Sequence, residues 1–176
     1  MIHDLVPYND PILKQELEQF DFTNPPTDPI QLAHDLAETM LANNGLGLSA
    51  NQMGLPYRVF AIKAEKILVC FNPKIVDTSE ETIYLEEGCL SYPNLFIKVK
   101  RSKTIKIRYT EPNGNTLTTT FSGLTARVAL HEYDHMNCIV YTQRANRLHL
   151  EQAKKNKKLG RLPKVTSKYI DILTAM

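Results

Sequence analysis

His131, Glu132 and His135 stand in a His-Glu-Tyr-Asp-His run whose residue types and spacing suit metal-assisted hydrolysis. On a helix, residues four apart lie about 40° apart around the axis, so both imidazoles can reach one cation from one face. Two neutral ring nitrogens hold the ion, and the carboxylate between them takes a proton from water. Two histidines leave a catalytic site one protein ligand short. Cys89 is the candidate third. It stands in Glu86-Glu87-Gly88-Cys89-Leu90-Ser91, in a loop after a strand-like run, beside a glycine that lets backbone approach closely. A thiolate suits a cation of borderline softness. Cys70 and Cys138 have no such neighbours and are read as small core residues.

These groups need elements to position them. Leu124 and Val128 continue the stripe of His131 and His135, which predicts a helix from about Gly123 to Asn137, capped by Ser122, with the histidines turned inward. Buried imidazoles and a buried carboxylate are costly unless a cation or hydrogen bonds satisfy them. An earlier helix is predicted from about Pro29 to Asn43. Asp28-Pro29 starts it, Leu32, Leu36 and Met40 form its apolar stripe, and Asn44-Gly45 ends it. A third is predicted from about Asn146 to Lys158. Strand-like runs lie between: Tyr57 to Lys63, Ile67 to Phe71 stopped by Asn72-Pro73, Ile97 to Lys100 and Thr104 to Tyr109. The turn Pro112-Asn113-Gly114-Asn115 makes a hairpin with Thr116 to Phe121. The first 28 residues read as irregular. Strands clustered between helices predict an α+β fold, mainly antiparallel sheets packed around a central metal-binding helix.

At 176 residues the chain reads as one domain. We divide it into a catalytic part, residues 1–148, and a basic C-terminal segment, 149–176, of the same domain. No apolar run approaches the roughly 20 residues of a membrane helix. Met1 to Leu5 show no basic stretch followed by an apolar one, so no secretory signal is expected. Three cysteines make a poor disulfide framework and fit a reducing compartment, the cytoplasm by default. Net charge is +2, unevenly spread: nine basic residues against Glu151 give +8 between Arg144 and Lys168, which leaves −6 for the rest. A basic tail on an acidic body predicts either a solvated surface helix or a polyanionic partner such as RNA.

Three segments together resemble the signature motifs of peptide deformylases. They are Gly45-Leu46-Gly47-Leu48-Ser49-Ala50-Asn51-Gln52, Glu87-Gly88-Cys89-Leu90-Ser91 and His131-Glu132-Tyr133-Asp134-His135. The likeness runs from about Pro29 to Arg147. It implies one divalent ion on Cys89, His131 and His135, typically ferrous iron, with zinc, nickel or cobalt able to replace it. It makes Glu132 the general base and then the acid. The Gln52 side chain and the backbone N–H of Leu90 become donors to the oxyanion. The implied substrate is the N-terminal N-formylmethionine of nascent peptides, running beside Leu46 and Gly47 as an added strand. Leu46, Leu85, Leu124 and Val128 are candidates to line the methionine pocket. Glu87 and Arg101 resemble a family pair that braces the cysteine. No membrane or DNA partner is expected; ribosomal RNA is the candidate polyanionic partner of the basic segment, the alternative to a solvated helix.

The sequence departs from the family pattern at Ser49, where alanine is commoner, at Leu130, a common glutamine, and at Cys138, a common glycine. Phe96 stands where many members carry arginine. None removes a ligand or the base. Two other functions compete. A zincin peptidase shares the His-Glu-x-x-His pattern, but its third ligand would have to be Glu151, sixteen residues downstream in a basic segment. An inactive RNA-binding relative would leave the ligand, base and donor set idle.

Overall fold

The computed structural model describes residues 1–162. Seven strands and three α-helices follow an irregular N-terminal arm that holds one short 3-10 turn, Pro11–Lys14. Helix α1 (Pro29–Ala42) starts at Asp28, whose side chain accepts from the Ile30 N–H at 2.9 Å. Its end is set by Asn44 in the left-handed region, φ 54°, with Asn44 N–H donating to Leu41 and Gly45 N–H to Met40.

The main sheet has five antiparallel strands: β1 (Gly47–Ser49), β2 (Val59–Lys63), β3 (Ile67–Thr78), β6 (Thr104–Thr110) and β7 (Thr116–Ser122), in the order β1-β2-β3-β6-β7. Between β3 and β6 the chain leaves to form a two-stranded ribbon, β4 (Thr82–Cys89) and β5 (Tyr92–Ser102). Strand β2 is buried on both faces, and its alternating side chains feed two cores. Val59 and Ala61 pack with Leu32, Leu36 and Met40 of α1. Phe60 and Ile62 pack with Ala126, Val128 and Ala129 of α2 (Gly123–Met136). A third apolar cluster joins Ile97 and Val99 of β5 to Tyr141 and to Ala153 of α3 (Arg147–Lys158). Helix α2 therefore lies between the main sheet and the ribbon, the central place the sequence predicts for it.

Three predicted details differ. Strand β3 does not stop at Asn72-Pro73 but continues to Thr78. The pairing with β6 shifts between Phe71 and Lys74, and Asn72 takes φ 48°. A bulge tolerates a proline that a regular ladder would reject. The Asn72 amide bonds both backbone groups of Phe20, at 2.8 and 2.9 Å, which ties down the N-terminal arm. Cys89 is the last residue of β4 rather than part of a loop, because β5 pairs back to it across a tight turn, Cys89 opposite Tyr92. Ser122 occupies the cap position of α2, but its hydroxyl bonds Thr104 Oγ1 at 3.1 Å and caps nothing.

Candidate metal centre

Three elements converge on one face of α2. The helix carries His131 and His135 one turn apart, the end of β4 brings Cys89, and the 3-10 turn Ala50–Met53 after β1 brings Gln52. The ligand atoms of Cys89, His131 and His135 all lie within 4.8 Å of one another. Cys89 Sγ is 3.4 Å from His135 Nε2. A tetrahedral cation with bonds of ~2.3 Å to sulfur and ~2.0–2.1 Å to nitrogen spaces those two donors by roughly 3.5 Å, so the residues present fit such an ion. Among the described residues one other such trio occurs, His34, Asp35 and Glu38 on α1, where His34 is exposed and the two carboxylates are half-buried.

The positions of the predicted residues can be stated one by one. Glu132 is 3 % exposed, and its Oε2 has no hydrogen-bond partner. Burial pushes its carboxyl up to about 7, helped by the charge on Glu87 and opposed by His131. Gly47 on β1 sits against it: a Cβ there would come within 2.3 Å of Glu132 Oε1 and 2.7 Å of Val128. Only glycine lets the strand run this close to the carboxylate. Gln52 Nε2 donates to Ser91 Oγ at 3.0 Å and lies 3.5 Å from Cys89 Sγ. Leu90 follows Cys89, and its side chain closes on Gly45, where a Cβ would meet it at 2.8 Å. Leu46, Leu124 and Val128 belong to one apolar cluster; Leu85, half-buried on β4 opposite Val99, is not among its members.

Behind the three candidate ligands lies a buried charge network. His131 Nδ1 donates to Glu87 Oε2 at 3.1 Å, which turns the other ring nitrogen toward Cys89 and His135. Arg101, 6 % exposed, grips both oxygens of Glu87 at 2.6 and 2.8 Å and donates to Asp134 Oδ2 at 2.6 Å. Burial alone would raise the Glu87 carboxyl, but the bonds from Arg101 and His131 hold it down at about 2. Burial opposes charging His131 too, yet bonds to Cys89 and Glu87 lift it well above its ordinary value. Burial, with the charges of His131 and Arg101, presses His135 down to about 3. Two of these partners escaped sequence reasoning. Arg127, one turn before His131, donates to Glu87 Oε1 at 2.6 Å and to the backbone of Val99 and Ile83. Asp134 accepts from Arg101 and from Arg144. An arginine on the inward stripe of the helix that carries both histidines was the available signal: a buried guanidinium requires carboxylates around it.

The departures from the family pattern find physical settings. The Phe96 ring covers Gly88, where a Cβ would lie 2.8 Å from it. Leu130 packs on the α2 core. Glu151, the zincin alternative's ligand, is exposed on α3 and pairs with Lys154 at 3.1 Å.

The family model described as polypeptide deformylase matches residues 2–151. A peptide deformylase of Pseudothermotoga lettingae is 39% identical over 132 residues, covering 75% of this chain and 76% of its own. The structure of a peptide deformylase from Synechococcus elongatus in complex with actinonin aligns with a TM-score of 0.81 at 32% identity, over 89% of this chain and 86% of that one. A Met-Ala-Ser-bound class I type b peptide deformylase from Acinetobacter baumannii aligns with a TM-score of 0.75 at 29% identity, over 82% and 98%.

Proposed function

The chain belongs to the polypeptide deformylase family, and we propose that its centre on α2 removes the formyl group from the N-terminal formylmethionine of nascent peptides as formate. The observation that carries this reading is the meeting of Cys89, His131 and His135 within 4.8 Å, beside a buried carboxylate. The three side chains would hold one divalent cation, natively ferrous iron, with zinc, nickel or cobalt as substitutes; thiolate and imidazole donors suit all four. When bound, the ion supplies positive charge that acidifies water and polarises the formyl carbonyl.

The chain's own groups do the rest. Glu132 accepts a proton as water attacks the formyl carbon and then delivers it to the leaving amine. A carboxyl lifted toward neutrality by burial is poised for both transfers. Gln52 Nε2 and the Leu90 N–H donate to the oxygen as negative charge develops on it. Leu46 and Gly47 offer backbone to the peptide as a strand. Leu46, Leu85, Leu124 and Val128 receive the methionine side chain. The products are formate and a peptide with a free methionine amine.

Two further parts of the reading concern place. Three free cysteines and no described helix long and apolar enough to cross a membrane accord with work in the cytoplasm. The lysines of α3 accord with docking on ribosomal RNA; Lys164 and Lys168 of the same segment lie outside the described residues.

The test is formate release from formyl-Met-Ala-Ser under anaerobic conditions with iron added. Glu132→Ala should retain the cation, by elemental analysis, and lose at least about 10²-fold in rate. A variant that still turns over at the parent rate would remove Glu132 from the mechanism. Cleavage of an unformylated internal peptide would favour the zincin reading, and bound metal with no formate release the inactive one.

A further inference from the structure

We propose that the Ser91 hydroxyl is a positioning group that holds the Gln52 side-chain amide with one of its N–H bonds turned to the reacting oxygen. The proposal rests on the reading of Gln52 as an oxyanion donor, and deepens it.

An amide is nearly symmetric in shape, so only its partners decide which end carries the donor. Gln52 is 2 % exposed, so few waters are at hand to correct it. Its oxygen is fixed by the backbone N–H of Ser49 at 3.0 Å. The Ser49 hydroxyl lies 3.2 Å from the same oxygen but 2.5 Å from Asn51 Oδ1, so its single proton goes to Asn51. At the other end, Gln52 Nε2 has two hydrogens and two acceptors, Ser91 Oγ at 3.0 Å and Cys89 Sγ at 3.5 Å. Sulfur is the weaker acceptor. Ser91, 5 % exposed, is therefore the partner that sets the amide plane. With one hydrogen on Ser91, the second lies on the Cys89 side, where the ligands converge. The tight turn from β4 to β5 thus delivers three groups in succession: a ligand sulfur, a backbone donor and the hydroxyl that orients the remaining donor.

A misdirected donor weakens transition-state stabilisation and leaves ground-state binding alone. A whole oxyanion donor is worth on the order of 10²–10³ in kcat. Loss of Ser91, with the Ser49 anchor retained, should cost about tenfold of that, with KM changed less than about twofold. The experiment is a double-mutant cycle in the iron-loaded full chain, read as formate release from formyl-Met-Ala-Ser, with cation content and thermal midpoint measured on every variant. The expected result has four parts: Gln52→Ala falls by the full donor value, Ser91→Ala by about tenfold, Ser91→Ala adds nothing in the Gln52→Ala background, and Ser91→Thr restores most of the rate. Equal losses from Ser91→Ala in both backgrounds, an unchanged kcat, or a fall explained by lost cation would overturn the proposal while Gln52 keeps its role. An unchanged rate in Gln52→Ala would overturn that role and the proposal together.

Discussion

Both oxygens of Glu87 are occupied, Oε1 by Arg101 and Arg127 and Oε2 by Arg101 and His131. This side chain links the candidate ligand His131 to the ribbon that carries Cys89, and its ionisation matters to the whole centre. Its carboxyl sits at about 2, against an ordinary 4.5. A depressed carboxylate contributes stability that is complete above the ordinary value and is lost as pH falls through the folded one. Glu87 should therefore supply on the order of 3 kcal/mol at neutral pH, lost between about pH 4.5 and 2. Denaturant unfolding at several pH values checks this. The parent should lose stability steeply across that window; Glu87→Gln should be less stable at pH 7 and show a flatter profile. Matching profiles would contradict the assignment. At this scale the Cys89, His131 and His135 trio, the neighbouring Glu132 and the Glu87–Arg101 pair were legible as residue types in a pattern. Ser91 was not, because its partner lies 39 residues away and nothing local marks the pairing; for Arg127 the inward stripe marked the burial, but not the partner 40 residues away.

Helix α2 ends much as α1 does, with the chain turning through the left-handed region: the Cys138 N–H faces the His135 carbonyl and the Ile139 N–H donates to Asp134. The turn needs a residue with positive φ, and Cys138 adopts 59°. Glycine takes that conformation without strain, whereas a side chain costs about 1–2 kcal/mol there. Cys138→Gly should therefore stabilise the protein by about 0.5–1 kcal/mol after glycine's own entropy is counted. The denaturant midpoint reads this directly, and a destabilised variant would show that the cysteine side chain carries packing worth more than the strain. Helices α1 and α2 were readable from their stripes, and α1 also from its stop signal at Asn44-Gly45. The ribbon end was less so: Gly88 and Cys89 look like loop, yet pairing with β5 across a two-residue turn keeps them in the strand. Asn72-Pro73 looks like a stop, yet a bulge carries β3 past it. In both cases strand pairing overrode a local signal, with the next strand for β4 and with a distant one for β3.

The whole molecule brings two sheets to one helix, and α3 buttresses the ribbon from outside through Ala153 and Leu150. That leaves Lys155, Lys157 and Lys158 exposed at the far end of α3. If this end docks on ribosomal RNA, changing these three lysines to glutamate should weaken ribosome binding and flatten its salt dependence by about two to three in log–log slope. Formate release from a short peptide should not change; equal binding and slope would count against docking. The central claim is that β4 and α2 close on a single cation. X-ray absorption of the zinc-loaded protein tests it most directly. The account predicts one sulfur at ~2.3 Å and two imidazole nitrogens at ~2.0–2.1 Å, with the sulfur lost in Cys89→Ser. A shell without sulfur in the parent protein, or one unchanged by that substitution, would contradict it.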